Sequence, residues 1–83
     1  MKNNLIRENI ITNFLNPCYK NTVFTSKEYI INHIKKNSWF PIQYFNETDT
    51  LIFHLDDELD AVIKVIWEES KLNSNNWVIK EFK

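Results

Sequence analysis

The sequence predicts a single small α+β domain over residues 1–83, with two N-terminal helices followed by an antiparallel meander of three or four strands. Three observations carry that expectation. In the first half of the chain, apolar residues recur at steps of three and four. From Trp39 onward the apolar period shortens toward two, and β-branched and aromatic residues concentrate. The 83 residues are enough for one domain, and their 43% apolar content sits near the roughly 45–50% of ordinary globular chains.

The first element is "NLIRENIITNFLNP". Leu5, Ile6, Ile10, Ile11, Phe14 and Leu15 fall on one helical face. Asn3 or Asn4 is expected to cap it, and Pro17 is expected to stop it after Asn16. "NPCYKNTVF" reads as a connector. The second helix, "FTSKEYIINHIKKN", opens with Thr25 and Glu28 at capping-box spacing, with Phe24 and Tyr29 placed as a hydrophobic staple. Ile30, Ile31 and Ile34 form its buried stripe. Lys35 and Lys36 complement the dipole in its last turn.

"WFPIQYF" and "TLIFHL" are expected as strands joined by a turn at "NETD", and Pro41 marks the first as an edge strand. "AVIKVIWEE" is ambiguous. Leu59, Val62, Ile63, Ile66 and Trp67 also fit a helical stripe, while the β-branched run favours a strand. The strand is expected over residues 58–70, with the helix left open. "SKLNSNN" turns, and "WVIKEF" is the last strand.

Composition narrows the functions. Glycine is absent. Phosphate-cradling and dinucleotide-binding loops need glycine where backbone approaches ligand, so both are excluded. Tight turns must then use Asn, Asp and Ser. One cysteine, Cys18, makes no internal disulfide. The first residues carry charge and amides through the apolar positions, unlike a signal peptide, and the apolar runs are far too short for a membrane span. A soluble cytoplasmic protein without membrane contact is expected.

Net charge is −1, but the halves differ. Six cations face two acids in residues 1–44, and four face nine in residues 45–83. "FHLDDELD" concentrates that acidity. It lacks the glycine and spacing of a calcium loop, and one histidine is too few for zinc. It is expected to be a charged turn between strands. His33 has no nucleophile or acid at a recognisable spacing and is expected to be structural. No catalytic residue, metal ligand or cofactor is assigned.

"SKEYIINHIKKNSW", Ser26 to Trp39, resembles the opening of HicA-type mRNA-cleaving toxins, whose helix, Lys-Lys-Asn, small residue and Trp lead into a first strand. The resemblance implies a double-stranded-RNA-binding-like fold. It covers about fourteen residues and needs a one-residue insertion. Ser38 replaces the family's Gly, and "NETD" stands where its histidine-bearing segment belongs. It implies no inherited chemistry.

The expected function is therefore a small non-enzymatic protein–protein interaction module. Its expected role is inhibition of a partner enzyme or complex, in the manner of phage anti-defence, anti-CRISPR, immunity or antitoxin proteins. The acidic half suits a protein partner that itself handles nucleic acid. The expected contact surface is Glu47, Asp49, Asp56, Asp57, Glu58 and Asp60, presented together by two hairpin turns. An exposed aromatic beside the acidic turn would strengthen it. The alternative is a nucleic-acid-binding regulator using the basic N-terminal helices, whose sequence loosely resembles the start of a winged-helix domain. The near-neutral balance and the lack of a third helix disfavour direct nucleic-acid binding. Oligomeric state is not legible in the sequence.

Overall fold

Pro17 has no backbone N–H, and in a regular α-helix its ring presses on the carbonyl four residues back. The chain widens one turn and continues. The computed structural model describes residues 2–56, 59–70 and 76–83. In it, α1 (Lys2–Ile10) runs through a π-helical turn, Ile11–Leu15, into α2 (Asn16–Tyr19). Asn16 is helical, at φ −62° and ψ −49°, and its N–H donates to the Ile11 carbonyl five residues back. The helix thus passes the proline that was expected to end it. It also begins at Lys2, so Asn3 and Asn4 lie inside it rather than at its cap. Ile11, Leu15 and Tyr19 are all buried. Their four-residue steps hold one face because the wide turn offsets the drift of a 3.6-residue period. Leu5 falls outside this stripe, at 70% exposed.

The helix closes without glycine. Just past it, Asn21 takes φ 65°, a left-handed position where the short amide side chain is tolerated. Its N–H donates to the Ile79 carbonyl at 2.9 Å. The stretch expected as plain connector then forms β1 (Val23–Phe24), too short to leave a periodic signal. In α3 (Lys27–Asn37) the cap is Ser26, one residue beyond the expected Thr25. Ser26 Oγ accepts from the Tyr29 N–H at 3.0 Å. The Phe24 and Tyr29 rings still meet, with centroids 6.1 Å apart.

The remaining elements are β2 (Ile42–Phe45), β3 (Thr50–His54), β4 (Asp60–Glu69) and β5 (Trp77–Phe82). The fold is α+β, with a five-stranded sheet in the order β1-β5-β4-β3-β2 and every neighbouring pair antiparallel. The expected plan of two helices before three or four strands is met in part, because β1 lies between the helices and adds an edge strand. The ambiguous segment is strand β4. Ala61, Ile63 and Val65 are buried while Asp60, Val62 and Lys64 are exposed, a period of two.

The first half of β4 pairs with β3 and the second half with β5. A bulge at Ile66/Trp67 separates the halves. The sheet is therefore staggered, and the molecule measures 41 × 21 × 19 Å. Where β5 does not reach, Arg7 of α1 does, donating from Nε to the Val62 carbonyl at 2.9 Å. Leu15, Ile30, Ile34, Leu51, Ile63 and Ile79 form the centre of the core at 0% exposure. Each such side chain contributes about 1.5–3 kcal/mol by burial. Among the described residues no helix is long and apolar enough to cross a membrane.

Candidate functional site

The junction from α3 into β2 carries two adjacent aromatics, Trp39 and Phe40, and only one can enter the core. Ser38 decides which. Its Oγ accepts from the Phe40 N–H at 3.0 Å and donates to the Phe40 carbonyl at 2.9 Å. This small ring packs Phe40 against the core and leaves Trp39 at the apex, 96% exposed. Exposing a whole indole is costly, and such residues are enriched at binding hot spots. Beside Trp39 lies a groove of about 430 Å³, floored by Ile6, Ile10, Phe14, Phe40 and Phe53 and rimmed by Asn9, Asn13 and Asn37.

The sheet register places this feature. The His54 N–H donates to the Pro41 carbonyl at 2.9 Å, so the start of β2 lies against the end of β3. The turn from β3 to β4 leaves from the same end. Asp56 organises that turn, its Oδ1 accepting from the Leu59 N–H at 3.0 Å. Asp60 opens β4, with Oδ1 2.9 Å from His54 Nδ1, and His54 Nε2 is 3.1 Å from Gln43 Oε1. Asp57 and Glu58 lie outside the described residues. "FHLDDELD" thus brackets a turn between strands, as its charge suggested.

Glu47 and Asp49 lie at the other end of β3, in the turn of residues 46–49. The expectation that the two hairpin turns present these acids together is corrected for the described ones: Glu47 and Asp49 stand a strand's length from Asp56 and Asp60. Asp49 is also engaged inward. It takes φ 51°, and its Oδ1 accepts from Tyr44 O–H at 2.7 Å and from Trp67 Nε1 at 3.0 Å. Burial, and then donation to Asp49, push the Tyr44 phenol up to about 12. Trp67 and Trp77 meet edge to face at 6.5 Å, and Lys27 Nζ sits over both rings, 4.2 Å from Trp77 and 5.2 Å from Trp67. This cluster fixes the hairpin to the long strand.

His33 is held by structure. Its Nδ1 lies 2.8 Å from Tyr19 O–H and 3.2 Å from Asn37 Nδ2. Burial raises the Tyr19 phenol above its ordinary value, so that hydroxyl stays a donor. Cys18 is exposed. Among the described residues no group of three His, Cys, Asp or Glu side chains converges to hold a metal.

No family model, curated protein or solved structure matches this chain. The resemblance of Ser26–Trp39 to HicA-type toxins is confined to that stretch.

Sequence reasoning found the acidic turn but not the groove. The available signal for Trp39 was its place between a helix end and Pro41, where neighbouring side chains must point opposite ways.

Proposed function

We propose that this chain is a small non-enzymatic protein-binding module that inhibits a partner enzyme or complex, in the manner of anti-defence, anti-CRISPR, immunity or antitoxin proteins. The contact surface is the end of the sheet that carries Trp39 and the acidic turn, with Asp56, Asp57, Glu58 and Asp60. The observation that carries the reading is a fully presented indole, 96% exposed, beside an apolar groove and at the same end of the sheet as Asp56 and Asp60. Burying one Trp removes about 150–250 Å² from water, which is roughly 4–6 kcal/mol before the costs of association. Carboxylates around such an anchor favour a partner with a basic rim, which speeds encounter and fixes orientation. Enzymes that handle nucleic acid carry such rims.

The test is capture of partners from host lysate with nuclease present, repeated with two variants. The wild-type chain is expected to retain a stoichiometric protein. Trp39→Ala, and separately the triple reversal of Asp56, Asp57 and Glu58 to Lys, are expected to lose it while keeping a native circular-dichroism spectrum. Retention by both variants sinks the surface assignment. Recovery of nucleic acid alone, lost on nuclease treatment, replaces the reading with the regulator that uses the basic helices.

A further inference from the structure

The free edge of the sheet offers a second surface, independent of the one above. In an antiparallel ladder, successive residues point their backbone groups to opposite sides. Because Pro41 bonds to His54 on β3, the backbone groups of Ile42 and Tyr44 point outward from β2. Nothing among the described residues pairs with them, since β2 ends the sheet. Alongside runs a groove of about 630 Å³ lined by Lys27, Glu28, Ile31, Lys35, Tyr44 and Asp49. Lys27 is held over the Trp67 and Trp77 rings, and Asp49 accepts from Tyr44 O–H and Trp67 Nε1, so the charges left to an occupant are Glu28 and Lys35.

The charges of that groove select its occupant. Glu28 lies toward one end of α3 and Lys35 toward the other, about 10 Å apart along the axis at 1.5 Å per residue. Both are exposed, and neither has an ion-pair partner among the described residues. A groove with opposite charges at its two ends complements its own copy turned by a two-fold axis. We infer that the occupant is a second copy of this chain, joined through antiparallel pairing of β2 with β2 of its partner. The axis passes at Gln43, which faces its own equivalent. Ile42 and the partner's Tyr44 then exchange two N–H···O=C bonds, and Tyr44 with the partner's Ile42 two more. Lys35 of each copy meets Glu28 of the other. Phe45, 46% exposed, comes against the partner's Pro41 on the outer face. The two sheets become one continuous sheet across the axis. The strand is short and Pro41 blunts its start, so the dimer is weak and concentration-dependent.

Sedimentation equilibrium from micromolar to millimolar chain tests this. The expected result is a reversible monomer–dimer equilibrium. Glu28→Lys and Lys35→Glu, each placing like charges at both symmetric contacts, weaken it roughly tenfold. The double variant restores it. A monomer at all concentrations, or a double variant no better than the singles, overturns the inference. A second measurement uses Gln43→Cys in a Cys18→Ser background. Facing residues at a non-hydrogen-bonded antiparallel pair stand about 4.5 Å apart at Cα, within disulfide reach. Oxidation is expected to give a covalent dimer with Gln43→Cys and not with Lys64→Cys. Equal cross-linking of the two also overturns it.

Discussion

Replacing Tyr44 by Phe removes one hydroxyl and leaves the ring in place. The lost bonds are the 2.7 Å donation to Asp49 and the 3.3 Å bond accepted from Trp67 Nε1, while Trp67 Nε1 still reaches the Asp49 oxygen at 3.0 Å. A hydrogen bond to a charged acceptor contributes about 1.5–3 kcal/mol. Tyr44 is only half-buried, and solvent screening brings this to about 1 kcal/mol. In a domain of this size that lowers Tm by about 4–8 °C. The pH dependence gives an independent handle. The phenol titrates near 10.0 in the unfolded chain and near 12 in the fold, raised by burial and then by donation to Asp49. A raised folded value favours the protonated form. Its stabilisation is complete below the unfolded value and disappears as pH rises from about 10 through about 12. The full gap corresponds to roughly 2.7 kcal/mol, and screening at a half-exposed group reduces it to about 1. The assay is urea unfolding of both proteins across that alkaline window, followed by circular dichroism. The two proteins differ only in this hydroxyl, so the difference between their curves isolates Tyr44. Tyr44→Phe is expected to be about 1 kcal/mol less stable at neutral pH, the gap closing by about pH 12. Equal stability at neutral pH, or a gap that persists, would refute the role given to this hydroxyl.

The remaining predictions concern the helices. Ser26→Ala is expected to cost about 1 kcal/mol in urea unfolding and Thr25→Ala no more than about 0.3, because only Ser26 bonds the first turn. Leu15→Ala, at a site with 0% exposure at the end of the π-helical turn, is expected to cost about 2–5 kcal/mol in the same assay.

What the sequence made legible follows how local each cause is. The strands Ile42–Phe45, Thr50–His54 and Trp77–Phe82 were readable because period-two patterning and turn residues act within a few positions. Asp49 and Asn21 took the left-handed positions that a chain without glycine must give to Asp or Asn. The path through Pro17 was not readable, since a widened turn competes with a break only through packing of Leu15 and Tyr19 on a distant sheet. The cap moved from Thr25 to Ser26 because adjacent hydroxyls carry the same propensity, and tertiary contact chooses between them. For the site, "FHLDDELD" announced its turn by charge alone. Glu47 and Asp49 belong to the preceding turn of the same meander, and successive hairpin turns lie at opposite ends of the strand they share, so their separation from Asp56 and Asp60 was already implicit in the expected topology. The exposure of Trp39 depended on a Ser38 ring of two hydrogen bonds, below the resolution of any periodicity.

The pairing of Lys20 and Asn21 with Ile79 ties the first helix to the last strand. A chain made from its N-terminus therefore exposes Ile10, Ile11 and Leu15 long before β4 exists to pack on α1 and β5 to fix the end of the helix. The hairpin of β2 and β3 closes locally and early, but the helices must wait for contacts of high sequence separation, which are slow to form. During synthesis the apolar face of that first helix is the part of the molecule most in need of shelter, until β4 emerges to pack against it.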